Sequence, residues 1–509
     1  MVLARAWSVA LFGVDGIPVE IEADIGGGKP KTQIVGLPDA ALNEAKDRVR
    51  AAVRNSGLAW PDQLVTFALS PAALPKGGSG YDLALAVSVL VADGKVPPEV
   101  FADTVLLGEL ALDGRLRTVK GVLPCLLAAR RAGLRRAVVP ERALAEAALV
   151  GGMEVLGAAT LSHVLSWARG EEDTLITPEP AEPAEPTGQP DLLDVVGQPE
   201  ARWALEVAAA GAHHVLMIGP PGTGKTMLAK RLPGLLPLLS PEQALEVTAI
   251  HSVAGDLAPD SPLVTAPPFI APHHTTSVAA LVGGGVGMAK PGAISKAHRG
   301  VLMLDEAAEF AANRLEALRT ALEEGEIRLA RRDGVVAYPA RFQLVLASNA
   351  CPCAPPRDAD CVCAPQARRR YLSRLSGPLL DRVDIHIRMR PITAMSLASE
   401  VPPEDTATVR ARVAEARARA AHRWSPHGWH TNGEAPGPVL RRDFALPRTT
   451  TALLDRALTT GTMTARGADR CLRVAWTLAD LAAAAHPTPD HVATALTFRD
   501  YRPRRSIPP

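Results

Sequence analysis

Residues Gly219-Pro220-Pro221-Gly222-Thr223-Gly224-Lys225-Thr226 fit G-x-x-x-x-G-K-[ST] at every position. The apolar run Val215-Leu216-Met217-Ile218 precedes them as a strand, and Met227 to Leu232 can continue as a helix. A strand running into a glycine-rich turn and then a helix is the setting in which such a turn cradles phosphate. Glycines at 222 and 224 let successive backbone N–H groups point at anionic oxygens, and the new helix adds its positive end. Lys225 is placed to reach the outer phosphates, and the Thr226 hydroxyl to complete a Mg²⁺ shell. The expectation is a nucleoside-triphosphate site with ATP and Mg²⁺ as cofactors. Gly219, Pro220, Pro221, Gly222, Thr223, Gly224, Lys225 and Thr226 are its binding residues.

The second half of that site lies downstream. Val301-Leu302-Met303-Leu304 is an apolar strand that delivers Asp305 and Glu306 to its end. Asp305 suits the metal and Glu306 suits activation of the attacking water, which points to hydrolysis rather than binding alone. Gln343 to Asn349 is a further strand, and the polar residue that ends it, Asn349, is placed to orient that water.

At 509 residues the chain has room for about three domains, and 47% hydrophobic residues supply their cores. The net charge of +1 argues neither for nor against nucleic acid, because local patches can hide in a balanced total. No apolar run approaches the roughly 20 residues of a membrane span, and no signal h-region follows Met1. Six cysteines in so long a chain do not make a disulfide scaffold. A reducing, cytoplasmic protein without membrane contact is expected.

Residues 1–170 mix helices and strands as an α/β unit. Asp39 caps a helix with Leu42, Ala45, Val49 and Val53 inward, Gln63–Leu69 reads as a strand, and Asp82–Ala92 as a buried helix. Thr104–Leu110 is a second strand, and Val122–Ala132 and Glu141–Val150 are helices. Residues 171–190 alternate Pro and Glu, which favours an extended linker. The ATPase core spans 191–395 and a helical lid 400–505. Within the core, Pro272-His273-His274-Thr275-Thr276 through Gly285 reads as a mobile polar insertion rather than a metal site. Asn313 and Glu316 form a cap pair for a helix reaching Glu324. Arg331-Arg332-Asp333-Gly334 tips a hairpin. Cys351, Cys353, Cys361 and Cys363 supply four thiolates, enough for a Zn²⁺ site, though C-x-C departs from the usual C-x₂₋₄-C. Arg368-Arg369-Arg370-Tyr371 follows as a basic run able to contact a nucleic-acid backbone, a solvated face or a subunit.

Two family resemblances emerge. Pro75-Lys76-Gly77-Gly78-Ser79-Gly80 and Gly114-Arg115-Leu116 through Ala129 resemble the proteolytic domain of Lon-type proteases. Ser79 falls within about a residue of the nucleophile position, but Leu123 occupies that of the lysine base and Lys120 is out of frame, so the resemblance implies the fold without the peptidase chemistry. The whole chain resembles the magnesium-chelatase-like YifB/ComM branch of AAA+ ATPases. The match rests on GPPGTGKT, VLMLDE, the hairpin and Ser376-Gly377-Pro378-Leu379-Leu380-Asp381-Arg382-Val383-Asp384. It implies an AAA+ P-loop core with a helical lid behind the Lon-like domain. Within that core, Asn349 is implied to be the first sensor, Arg382 an arginine finger acting across a subunit boundary, and Arg466 in Thr462–Gly467 a γ-phosphate contact. A homo-hexamer is implied, with DNA as substrate for helicase or branch-migration work during DNA uptake. DNA contacts are expected at Arg331, Arg332, Arg368, Arg369 and Arg370. A chelatase-type motor remodelling a protein and a Lon-like protease are the alternatives, and Leu123 argues against the second.

Overall fold

The computed structural model describes residues 4–179, 188–258, 262–285, 289–331, 334–375, 377–391 and 403–499. Most of the Pro/Glu stretch, Arg332, Asp333, Ser376 and the residues after Arg499 lie outside the described residues.

The N-terminal part is a seven-stranded mixed sheet. Its spatial order is Lys31–Val35, Leu64–Ser70, Asp15–Gly26, Ala4–Phe12, Thr104–Leu106, Arg136–Pro140, Glu154–Ala158. Ala4–Phe12 and Asp15–Gly26 form a long antiparallel hairpin in the middle, with Ala4 opposite Ala23 and Phe12 opposite Asp15. Asp39 caps the helix Ala40–Asn55 by accepting from Leu42 N, and Leu42, Ala45, Val49, Ala52 and Val53 face the core. The helix Asp82–Ala92 is almost wholly buried, and its Asp82 carboxylate pairs with Arg48 at 2.8 Å. Burial pushes the Asp82 carboxyl up to about 6 despite that arginine. The strand expected over 104–110 is broken at Gly108, whose φ of 155° turns the chain. The helix expected over 141–150 is a 3₁₀ turn followed by Leu144–Ala148.

The second sheet is five-stranded and parallel throughout: Phe269–Ile270, Val301–Leu304, Gln343–Ser348, Val215–Ile218, Ile385–Arg388. Val215–Ile218 is therefore central between Gln343–Ser348 and Ile385–Arg388, and both its faces are buried. Because side chains alternate along a strand, Val215 and Met217 enter one core while Leu216 and Ile218 enter another. The first core is shared with the C-terminal helices: Thr406–Trp424 and Ala465–Leu481 pack on Pro199–Gly211, and Trp424 and Trp476 are fully buried there. The helical C-terminal part is thus one continuous core with a face of the ATPase sheet. The helix Pro241–Ala254 carries the expected capping box, Ser240 and Gln243 each bonding the other's backbone N–H. Asn313 does not cap its helix, which begins at Ala312, and Glu316 pairs with Arg319 instead.

Candidate functional site

Parallel strands all end at the same edge of their sheet, and that edge gathers the site. Gly219 follows the central strand and donates its N–H to Ser348 O at 3.2 Å. A Cβ there would lie 2.6 Å from Met389 O, so only glycine lets the loop pass this neighbour. Gly222 and Gly224 take φ of 76° and 89°, the left-handed conformations that curl the loop before the helix Lys225–Ala229. Lys225 is buried, with Nζ 2.7 Å from Gly219 O, 2.8 Å from Pro220 O and 3.3 Å from Asn349 Oδ1. Burial lowers its pKa, against the opposing pull of Asp305. Its ammonium is ringed by neutral oxygens that leave its charge available to a polyanion.

Thr226 Oγ1 donates to Asp305 Oδ2 at 2.6 Å. A hydroxyl and a carboxylate converging from two elements are a hard oxygen donor set that fits Mg²⁺. Glu306 follows with φ of 51°, a strained conformation for a residue with a side chain. Its N–H bonds Asp305 Oδ1 at 2.9 Å. Its carboxylate lies 3.1 Å from Nδ1 of His274. His274 is held in turn by a tilted ring contact with His273, with ring centroids 4.1 Å apart, and by Arg314 donating to its carbonyl. The segment expected as a mobile insertion is therefore part of the site. Leu281 is fully buried, and Gly283–Gly284 pairs with Lys290–Pro291. Sequence reasoning also passed over Gln198, whose Nε2 bonds Thr223 O at 3.3 Å and Arg390 O at 2.6 Å, tying the start of the helix Pro199–Gly211 to the phosphate loop.

Arg382 and Arg466 are elsewhere. Arg382 lies just before Ile385–Arg388, at the edge where the strands begin. It joins Arg466, Arg470, Arg473, Arg299 and Arg341 around a cleft of about 850 Å³ that none of residues 219–226 lines. The length of a four-residue strand, ~13 Å, separates that edge from the phosphate loop. Arg382 is ion-paired with Glu323 and donates to Pro378 O, and burial lowers its pKa, helped by Arg319, Arg466 and Arg470. Arg466 is exposed at the start of the helix Ala465–Leu481. It lines that cleft, which residues 219–226 do not reach.

The four thiols of the cysteine loop converge, with Sγ of Cys351, Cys353, Cys361 and Cys363 all within 4.8 Å of one another. Arg368, Arg369 and Arg370 are exposed on the helix Pro365–Leu372. The hairpin Glu326–Arg331/Gly334–Pro339 forms with Arg331 opposite Gly334, and one face of it, Val336 and Tyr338, is buried against Leu11, Phe12 and Val14. Ser79 Oγ donates to Glu109, Leu123 is fully buried, and Lys120 Nζ bonds Ala254 O at 2.8 Å. Lys76 is spent on the carbonyls of Gly36, Pro71 and Leu74. No lysine base attends the serine among the described residues.

Comparison with known proteins agrees with this anatomy. Residues 191–397 match the family model described as magnesium chelatase, subunit ChlI; 21–143 match subunit ChlI of Mg-chelatase, and 403–499 its C-terminal part. An uncharacterized protein of Mycobacterium tuberculosis is 59% identical over 99% of this chain and 100% of its own length. YifB of Escherichia coli is 39% identical over 98% of this chain and 97% of its own. Competence protein ComM of Haemophilus influenzae is 39% identical over 98% of each. A stretch covering 27% of this chain is 30% identical to 18% of the Lon protease of Mycolicibacterium smegmatis. With its P-loop core, Lon-like front and helical end, the chain belongs to the YifB/ComM family of magnesium-chelatase-like AAA+ ATPases.

Proposed function

We propose that the chain is a ring-forming, Mg²⁺-dependent ATPase motor that moves on DNA. The observation that carries the ring is the placement of Arg382 and Arg466 together in a cleft at the strand-start edge, with the phosphate loop at the opposite edge. Two arginines grouped there complete a nucleotide site only when a neighbouring copy presents its own loop to them.

Each residue then has a task at that joint site. Lys225 and the loop N–H groups hold phosphate charge, while Thr226 and Asp305 would hold Mg²⁺. When bound, the ion neutralises the charge building on the phosphate oxygens. Glu306 accepts the proton of the attacking water, and Asn349, 3.3 Å from Lys225, fixes where that water sits. Arg382, released from Glu323, and Arg466 of the adjacent copy stabilise the transferring phosphoryl group.

DNA as the substrate rests on the exposed arginine triplet 368–370 of the helix Pro365–Leu372 and on the likeness to a protein named for competence. The test is ATP hydrolysis with and without forked or single-stranded DNA, with Glu306→Gln as the control. DNA should raise the wild-type rate several-fold, and the variant should lose about 10²-fold or more while still binding ATP. An active wild-type protein indifferent to DNA would instead make a protein the substrate, as the chelatase likeness suggests.

A further inference from the structure

The strand Gln343–Ser348 ends at Asn349, and the chain then leaves on an excursion before returning as the helix Pro365–Leu372. Both ends of the excursion sit on the same spot. Cys351, buried, lies two residues past Asn349, and Tyr371, buried on the returning helix, shares one core with Leu344 and Leu346 of the strand. Between them almost nothing holds the loop. Cys351 is its only buried residue among those described, Val362 is 90% exposed, and its regular structure is one short turn at Asp358–Asp360. A loop without a core of its own needs a cross-link to keep one conformation.

The thiols supply one. Sγ–Sγ separations are 3.4 Å for Cys351–Cys353, 3.7 Å for Cys353–Cys361 and 3.4 Å for Cys351–Cys361. Disulfide sulfurs would stand at about 2.05 Å. Four sulfurs bound tetrahedrally to zinc at ~2.3 Å stand ~3.8 Å apart, close to the spacing found. The donor set is purely thiolate, and Cys353 is open to solvent, which favours an ion without redox chemistry.

We propose that Cys351, Cys353, Cys361 and Cys363 bind one Zn²⁺, and that this ion fixes the loop so that Asn349 is held beside Lys225. The second half rests on the role given to Asn349 in hydrolysis; the first does not. Metal analysis of the purified full chain should find about one zinc per chain, and Co²⁺ exchanged into it should show thiolate charge-transfer and tetrahedral absorption bands. Cys353→Ser/Cys363→Ser, altered at the less buried ligands, should drop zinc below ~0.2 per chain. Its circular dichroism and ATP affinity should hold within about twofold while kcat falls about tenfold or more. Asn349→Ala should reproduce the kcat loss with zinc retained. Iron in place of zinc, or no uptake of zinc or cobalt by the reduced wild-type chain, would overturn the site. Zinc lost with kcat unchanged would overturn the link to Asn349. A zinc-loaded wild-type chain that hydrolyses no ATP would count against the ATPase mechanism and leave the site standing.

Discussion

In the proposed mechanism Glu306 is the residue on which hydrolysis turns, and its carboxylate is already engaged, 3.1 Å from His274. A carboxylate meant to take a proton from water must be aimed, and His274, held by its tilted ring contact with His273 and by Arg314, is placed to do so. His274→Ala should therefore lower kcat by about three- to tenfold while leaving ATP affinity within about twofold. Weaker ATP binding with kcat unchanged, by titration and steady-state kinetics, would contradict this. Lys225, Thr226, Asp305 and Glu306 were legible in the sequence because motif and strand context coincide, and the structure brings all four to one edge. His274 was not legible. Two adjacent histidines among glycines carry only the local signal of a polar loop, and the contact that gives one of them meaning is made through the fold.

Among the elements, those with a clean period were readable. The helices Ala40–Asn55 and Asp82–Ala92 and the strands Val215–Ile218, Val301–Leu304 and Gln343–Ser348 stand where apolar spacing put them. The central hairpin Ala4–Phe12/Asp15–Gly26 went unread, although Ala4, Ala6, Ser8 and Ala10 alternate into the core, because small side chains make a weak alternation. The joint between Ile385–Arg388 and the C-terminal helices depends on partners that no local pattern shows. Asp384 is buried with Arg470 at 3.1 Å and His213 at 3.6 Å, and although burial pushes its carboxyl up, the Arg470 guanidinium and the neighbouring His213 ring hold it well below the usual range. Burial holds His214 and His386 down to about 4. As pH falls from about 6.5 to about 4 the unfolded chain takes up protons on these histidines that the folded chain refuses, so stability drops. Below that window Asp384 continues the loss, since its carboxyl protonates first in the unfolded chain. The loss should reach a few kcal/mol, lowering Tm by roughly 5–10 °C between pH 7 and pH 4.5. A Tm flat across that range, by calorimetry, would contradict the assignment of these groups as buried and neutral.

At the scale of the molecule, the Lon-like part packs on the ATPase core. Close in sequence to Leu123, Lys120 reaches Ala254 O, Gly121 N bonds Ser252 O, and Glu146 accepts from Ser252 Oγ, so this surface is the seam to the helix Pro241–Ala254. The sequence resemblance to AAA+ ATPases made Arg382 a finger for another subunit. It did not tell that Arg466 shares the same cleft, which depends on how the C-terminal helices pack on the sheet. No helix among the described residues is long and apolar enough to cross a membrane. The central claim is that one copy's phosphate loop meets the next copy's arginines, and mixing two inactive variants tests it. Lys225→Ala keeps the arginines and loses the loop, while Arg382→Ala does the reverse. Combined in equal amounts and allowed to exchange subunits, they should regain ~25% of wild-type ATPase, the share of joints at which an intact loop faces an intact arginine. A mixture no more active than the sum of its parents would mean that Arg382 serves its own chain's nucleotide or none, contradicting the account.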